Sequence, residues 1–296
     1  MRVSLGDVNL WFDVSGPSVV PDGAGVIERP TLVAVHGGPG TDHINLKDAL
    51  APLAEQFQII FYDQRGHGRS DHSSPEFWNQ RTWATDLRRL CDTLGLHRPV
   101  VLGSSFGGRV ALTYAGLFPG HARGIILANT TGGRADDQRS TEIFRRLGGA
   151  EAAVAAERDF AEKSAQSRAE FRRVCGPLYT SRPWSSEELR QQRTRSIQTP
   201  DVNLHFFRDE APQFSPWSLL DRVTCPVLIL AGEDDPVCPF PVVVELASRL
   251  PASTTRLACL PGARHAIFRD RPDLAFPAID EFIRRISGRR SWPGSG

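Results

Sequence analysis

Residues 103–107, Gly-Ser-Ser-Phe-Gly, combine a hydroxyl nucleophile with the backbone that nucleophilic catalysis needs. The preceding residues 100–102 are apolar and predict a strand, and helical spacing of apolar residues begins at Val110. A strand, a tight turn and a helix around a G-x-S-x-G array form a nucleophile elbow, in which glycines flank the serine because the turn leaves no room for side chains. Ser105 is therefore the candidate nucleophile. Ser104 is the rival hydroxyl, but the flanking glycines are in register with Ser105.

A serine hydroxyl is a weak nucleophile near neutral pH. It needs a base within hydrogen-bond distance and a third group that holds the base in one tautomer. His265 lies in a turn after a predicted strand, and Asp235 follows another predicted strand upstream of that histidine. Serine, acid and histidine in this chain order accompany this kind of elbow. The sequence therefore predicts Ser105, Asp235 and His265 as catalytic residues.

Neighbouring residues leave alternatives open for the acid and the base. Glu233 and Asp234 adjoin Asp235, and spacing alone excludes neither. His67 is the rival base, although its polar, glycine-rich loop is interpreted as a structural turn. His36 is interpreted as a structural hydrogen-bonding residue because a better-placed histidine exists.

A second glycine-rich loop occupies residues 36–40, His-Gly-Gly-Pro-Gly. It follows the apolar residues 31–35, which predict a strand that is covered on both faces. Glycines let the backbone approach a ligand closely and aim its amides inward. We predict that the amides of Gly38 and Phe106 form an oxyanion hole.

The elements that must position these residues follow an alternating pattern. Short apolar runs alternate with stretches of helical spacing up to about residue 133 and again from about residue 216. Such alternation predicts an α/β fold with a doubly wound, mostly parallel sheet, and ligands bind such sheets at the carboxyl ends of the strands. Residues 1–133 and 216–296 are the predicted core domain. Residues 17–30 within it are predicted to be a loop.

Residues 134–215 interrupt this alternation and contain no convincing strand. The segment is rich in Arg, Glu, Ala and Gln, and residues 151–171 and 186–195 are predicted to be helical. We interpret it as a helical cap over the strand ends. Its aromatic side chains, Trp184 among them, either line a pocket or pack the cap against the core, and the sequence leaves both roles open.

The composition narrows the class of protein. Of the 296 residues, 40% are hydrophobic and 23% are charged, which is typical of a soluble globular protein. A net charge of +1 without a basic run makes nucleic acid an unexpected partner. The amino terminus lacks the apolar core of a secretory signal, and no apolar run is long enough to cross a membrane. We therefore expect a cytoplasmic protein that acts on a small molecule, and its oligomeric state is open.

The cysteines favour neither a disulfide framework nor a metal site. Five are present, without a C-x-x-C pair and without a close histidine partner, as expected for reduced and mostly buried thiols. Cys238 lies near Asp235 in the sequence and is given no role.

Residues 103–107 together with Asp235 and His265 resemble the α/β-hydrolase superfamily over nearly the whole chain. The loop of residues 36–40 and residues 62–66, Tyr-Asp-Gln-Arg-Gly, resemble its proline iminopeptidase branch. The resemblance implies an eight-stranded sheet, a helical cap between the sixth and seventh strands, and hydrolysis without a cofactor.

The chain departs from the peptidase pattern at two positions. Phe106 stands where those enzymes usually have tryptophan, and Asn203 stands where they have a cap glutamate that holds the substrate's amino group. An uncharged amide gives an ammonium group no counter-charge, a loss on the order of a few kcal/mol in a desolvated pocket. We therefore expect a serine hydrolase of neutral esters, lactones or amides, with Asn203 and Trp184 as substrate-binding residues. A proline aminopeptidase is the alternative, and a non-catalytic ligand receptor on the same fold is the second.

Overall fold

A mostly parallel sheet accounts for the apolar runs of the sequence. The structure is a computed structural model that describes residues 1–133 and 136–288. Its strands are β1 (Arg2–Ser4), β2 (Asn9–Ser15), β3 (Val19–Asp22), β4 (Gly25–Glu28), β5 (Thr31–Val35), β6 (Gln58–Tyr62), β7 (Val100–Ser104), β8 (Gly124–Ala128), β9 (Val227–Gly232) and β10 (Thr255–Leu260). Eight of these described strands form one sheet in the order β1-β2-β6-β5-β7-β8-β9-β10. Strand β2 pairs antiparallel with β1 and β6, and the other pairs are parallel. The predicted fold class is confirmed.

Helices cover both faces of this sheet. The described α-helices of the whole chain, including those between β8 and β9, are α1 (Ile44–Ala49), α2 (Gln80–Thr93), α3 (Phe106–Leu117), α4 (Asp137–Glu162), α5 (Ala165–Val174), α6 (Ser186–Arg195), α7 (Pro200–His205), α8 (Phe240–Arg249), α9 (Ile267–Asp270) and α10 (Pro272–Ser287). Alternate residues of a central strand face different layers: Val33 of β5 shares a cluster with Trp83 of α2, whereas Leu32 shares one with Phe282 of α10. Each such side chain stabilises the fold by about 1.5–3 kcal/mol. Burial on both faces therefore fixes the position of the central strands.

The loop predicted at residues 17–30 is wrong, because this segment contains a β-hairpin. Strands β3 and β4 pair antiparallel in a separate two-stranded sheet, with Asp22 opposite Gly25. Gly23 has φ 58° and supplies the left-handed residue that such a tight turn favours. The hairpin leaves Val26 71% exposed. Glycine at the first of the two loop residues, Gly23 and Ala24, rather than an apolar pattern, marks the hairpin in the sequence.

The described residues between β8 and β9, the sixth and seventh strands of the large sheet, form helices and no strand. The predicted helix at residues 151–171 is two helices, because α4 ends at Glu162, its C-cap Lys163 has φ 47°, and a capping box of Ser164 and Ser167 starts α5. The helix predicted at residues 186–195 matches α6. We call described residues 136–215 the helical insertion.

Parts of the predicted domain division lie outside the described residues, namely residues 134 and 135 at the start of the cap and residues 289–296 at the end of the core. The division into a core domain and a cap domain stays a prediction. None of the helices in the described part of the chain is both long and apolar enough to cross a membrane.

Candidate active site

Ser105 lies in the turn between β7 and α3 with φ 52° and ψ −120°, a backbone conformation that residues with side chains rarely adopt. A Cβ atom at Gly103 would lie 2.3 Å from the carbonyl oxygen of Gly107, and one at Gly107 would lie 2.2 Å from that of Val35. Neither position has room for a side chain, so the two glycines permit the turn. The turn presents Ser105 at the start of α3, at the carboxyl edge of the sheet.

The structure brings Ser105 together with His265 and Asp235. The Oγ atom of Ser105 is 3.0 Å from Nε2 of His265, and Nδ1 of the same ring is 2.8 Å from Oδ2 of Asp235. The second carboxylate oxygen of Asp235 accepts hydrogen bonds from the amides of Val237 at 2.7 Å and Cys238 at 2.9 Å. The Asp235 side chain is 1% exposed. These bonds fix the orientation of the carboxylate toward the histidine ring.

The other two acids of this loop point elsewhere. Oδ1 of Asp234 lies 2.7 Å from the Arg146 guanidinium of the helical insertion, and Oε2 of Glu233 accepts a hydrogen bond of 3.1 Å from the amide of Gly262. Of the three adjacent acids, Asp235 is therefore the one that the structure places against His265.

The rival base His67 is buried, and its only side-chain hydrogen bond among the described residues is to the backbone of Arg65. Its ring lies 5.8 Å from the Trp83 ring and 6.0 Å from the Phe106 ring, and Nδ1 donates to the carbonyl oxygen of Arg65 at 3.0 Å. Burial lowers the pKa of His67 to about 3. The imidazole is therefore neutral near pH 7, and its position gives it a packing role.

His36 is likewise buried, and burial lowers its pKa. Its Nδ1 donates to the carbonyl oxygen of Gly37 at 2.8 Å, and its Nε2 accepts from the amide of Gln64 at 3.2 Å. Both ring nitrogens are thus used in joining the glycine-rich loop to the loop after β6.

The glycine-rich loop lies directly against the serine. A Cβ atom at Gly37 would be 3.3 Å from the Cβ atom of Ser105. Gly38 follows with φ 117°, and its amide has no acceptor among the described residues. Phe106 is the first residue of α3, and the first amides of a helix have no intrahelical acceptor. The glycine-rich loop and the start of α3 therefore both adjoin Ser105, and the oxyanion hole formed by the amides of Gly38 and Phe106 stays a prediction.

The end of the helical insertion holds this loop in place. The side-chain amide of Asn203 donates to the carbonyl oxygen of Pro39 at 2.7 Å, and the amide of Thr199 donates to that of Gly40 at 3.0 Å. Asn203 is 5% exposed. We call residues 196–203 the loop clamp. Asn203 thus lies beside the candidate oxyanion loop, and its predicted contact with substrate stays a prediction.

Two residues that the sequence interpretation missed hold the His265 turn. The side-chain amide of Asn129 donates to the carbonyl oxygen of His265, and its Oδ1 accepts from the amide of Gly232 at 3.3 Å. The Tyr179 ring meets the His265 ring edge-on at 5.3 Å, and the carbonyl oxygen of Tyr179 accepts from the amide of Ala266 at 2.8 Å. The position of Asn129 directly after a strand could have identified it as a site residue, whereas nothing in the sequence pointed to Tyr179.

Trp184 lies farther along the helical insertion, where the guanidinium of Arg269 stacks on its ring at 3.7 Å. No hydrogen bond or ring contact found in the described part of the chain links Trp184 to Ser105 or His265. Its predicted role in substrate binding stays a prediction.

Cys238 completes a group of three metal-ligating side chains. Its Sγ atom, a carboxylate oxygen of Asp235 and a ring nitrogen of His265 all lie within 4.8 Å of one another. Cys238 is 7% exposed, and burial raises the pKa of its thiol well above 9. The thiol is therefore protonated near pH 7 unless a cation replaces the proton.

Comparison with known proteins supports this fold. The family model of the alpha/beta hydrolase fold matches residues 30–272. A proline iminopeptidase of Lactiplantibacillus plantarum is 30% identical over 260 residues, which cover 82% of this chain and 88% of that protein. The residues matched by the family model include Ser105, Asp235 and His265.

Solved structures superpose over nearly the whole chain. The proline iminopeptidase of Mycobacterium smegmatis gives a TM-score of 0.74 at 22% identity and covers 97% of this chain and 98% of that one. A thermophilic esterase from Thermogutta terrifontis gives a TM-score of 0.67 at 25% identity and covers 97% and 99%. The likeness therefore extends across both the sheet and the helical insertion.

Proposed function

Because the chain belongs to the alpha/beta hydrolase fold family, in its proline iminopeptidase-like branch, we propose that it is a serine hydrolase of small neutral molecules. Its substrate carries a carboxylic ester, lactone or amide bond and is largely apolar. The observation that carries the proposal is the hydrogen-bonded chain from Ser105 through His265 to Asp235, at 3.0 Å and 2.8 Å.

The geometry supports acyl transfer in two steps. Asp235 holds the proton on Nδ1 of His265, so that the lone pair of Nε2 faces the Ser105 hydroxyl. His265 accepts the hydroxyl proton as Ser105 attacks the carbonyl carbon, and the amides of Gly38 and Phe106 stabilise the oxyanion. His265 then returns the proton to the leaving group. Water then attacks the acyl group on Ser105 while His265 accepts a proton from the water, and His265 returns that proton to the Ser105 oxygen as the acid product leaves.

The charges around the site support a neutral substrate. No carboxylate in the described part of the helical insertion forms a hydrogen bond to Ser105 or His265. Asp159 pairs with Arg168 at 2.9 Å, and Asn203 is occupied by the loop. Asn203, which stands where the peptidases have a cap glutamate, offers an N-terminal ammonium group no counter-charge, and this loss is unfavourable in a desolvated pocket. Cleavage of N-terminal proline, the activity that the relatives' names carry, is the alternative function.

The nucleophile is tested by labelling with a fluorophosphonate probe, which modifies activated serine hydroxyls. We expect one label at Ser105, identified by peptide mass spectrometry, and none in Ser105→Ala. Ser104→Ala is the matched control and keeps the label. A folded wild-type chain that takes no label would favour a ligand receptor on the hydrolase fold instead.

The substrate class is tested by comparing short p-nitrophenyl esters with proline 2-naphthylamide. We expect a higher kcat/KM for the esters. A clear preference for the naphthylamide would establish the aminopeptidase and overturn the charge argument at Asn203.

A further inference from the structure

The acid side of the candidate triad offers three kinds of metal ligand. A carboxylate oxygen of Asp235, a ring nitrogen of His265 and the thiol sulfur of Cys238 lie within 4.8 Å of one another. Asp235 and Cys238 are fixed on one turn, because the amide of Cys238 donates to Asp235 Oδ1 at 2.9 Å. In the described residues no other group of three such side chains comes this close.

This donor set matches the preference of Zn²⁺, which binds Cys sulfur, His nitrogen and carboxylate oxygen in tetrahedral sites. We propose that Asp235, Cys238 and His265 form an inhibitory Zn²⁺ site, with water as the fourth ligand. Three protein ligands and one exchangeable position are the usual arrangement of an open zinc site.

The present distances are close to those that zinc needs. Tetrahedral bonds of about 2.1 Å to nitrogen and oxygen and about 2.3 Å to sulfur separate the ligand atoms by about 3.4–3.6 Å. The oxygen and nitrogen now stand 2.8 Å apart, so they must separate slightly, and the sulfur approaches from within 4.8 Å. Small rotations of the Cys238 side chain and of the His265 ring, which lie on different loops, would supply both changes.

Zinc binding redistributes two protons. The thiol of Cys238 releases its proton to solvent and becomes a thiolate ligand. Zinc takes the lone pair of Nδ1 of His265, and the proton of that nitrogen moves to Nε2. One proton is released per ion, and no electron is transferred.

The consequence is inhibition, since a protonated Nε2 of a zinc-bound, neutral imidazole cannot accept the Ser105 proton. This consequence rests on the proposed function, whereas binding of the ion does not. The other buried thiols lack such neighbours: Cys91 and Cys225 lie in an apolar cluster, and Cys175 bonds to the carbonyl oxygen of Ala152 at 3.4 Å.

Binding is tested on the full chain, purified without a polyhistidine tag. Equilibrium dialysis measures the zinc bound, and Co²⁺ replaces Zn²⁺ as a spectroscopic probe because thiolate ligation gives it a charge-transfer band in the near ultraviolet. The variant is Cys238→Ala, with Cys238→Val as the second choice if the alanine protein is unfolded by circular dichroism. The matched control is Cys259→Ala, which removes the exposed thiol of β10.

We expect about one zinc per chain and the thiolate–cobalt band in the wild type and in Cys259→Ala. In Cys238→Ala the band disappears and the affinity falls by roughly 100-fold or more. Zinc slows fluorophosphonate labelling of the wild type, a chelator restores it, and Cys238→Ala is labelled at the same rate with and without zinc at that concentration.

Two results would overturn the site. One is a wild type that binds no zinc, and the other is a cobalt band that persists in Cys238→Ala. A wild type that binds zinc through Cys238 but takes no label in its metal-free form would instead refute the proposed hydrolase function and leave the metal site standing.

Discussion

The side-chain amide of Asn203 donates a 2.7 Å hydrogen bond to the carbonyl oxygen of Pro39. This bond joins the helical insertion to the loop that carries the Gly38 amide. The insertion thus reaches the loop of the candidate oxyanion site by a direct polar contact.

Replacing Asn203 with leucine removes this contact at similar volume. We expect kcat on a p-nitrophenyl ester to fall roughly 10- to 100-fold, because the loop amide no longer stands at the position of the oxyanion. We expect KM to change little, and the free energy of unfolding to drop by about 1–3 kcal/mol because the Pro39 carbonyl loses its partner. Glu151→Gln, an exposed change elsewhere in the helical insertion, is the control. A raised KM with unchanged kcat would show that Asn203 contacts substrate instead.

Asp235→Asn is expected to lower kcat/KM by roughly 10³–10⁴-fold, because an amide no longer holds His265 in the tautomer that accepts the Ser105 proton. Asp234→Asn and Glu233→Gln are the matched controls and are expected to stay within a few-fold of the wild type, since their side chains face Arg146 and Gly262. The kcat/KM of each of the three variants is measured on a p-nitrophenyl ester. An equal loss in Asp234→Asn would reassign the acid.

Gly107→Ala is expected to destabilise the fold by about 3 kcal/mol or more, because its Cβ atom would lie 2.2 Å from the carbonyl oxygen of Val35. Gly176→Ala is the control, since no atom lies within 4 Å of a Cβ there, and we expect a change within about 1 kcal/mol. Urea unfolding followed by circular dichroism measures both. Equal stabilities would mean that the elbow is looser than described.

Buried His67 predicts a pH dependence of stability. Its pKa is about 3 in the folded chain, against an ordinary value of 6.5, because burial disfavours the charged ring. Between these values the unfolded chain binds the additional proton, so stability falls as pH falls. From pH 7.5 to 4.5 the wild type is expected to lose about 2–3 kcal/mol more than His67→Asn.

The measurement is urea unfolding of both proteins at the two pH values. The difference between the proteins isolates His67 from His36, whose pKa is also lowered by burial. Identical losses in the two proteins would show that His67 is hydrated and titrates normally.

Apolar runs predicted the sheet because the central strands are covered on both faces, as at Leu32 and Val33 of β5. The nucleophile elbow could also be predicted from the sequence, because Gly103 and Gly107 occupy positions where no side chain fits. The hairpin at β3 and β4 was not predicted, because its stability comes from a turn and not from burial.

The contacts between the helical insertion and the core could not be predicted. The contacts of Tyr179 with His265 and of Asn203 with Pro39 join residues that are far apart in the sequence. The spacing of apolar residues gives no information about such long-range pairs. The choice of Asp235 over Asp234 also needed the structure, because adjacent residues differ only in the direction of their side chains.

The loop clamp bears on how proteins of this design acquire new specificities. If an insertion made no contact with the catalytic loops, it could be exchanged between relatives without changing the catalytic rate. Here residues 196–203 also anchor the backbone at Pro39 and Gly40. A transplanted insertion must therefore bring its own matching anchor, so that substrate choice and reaction rate are inherited together in recombinants.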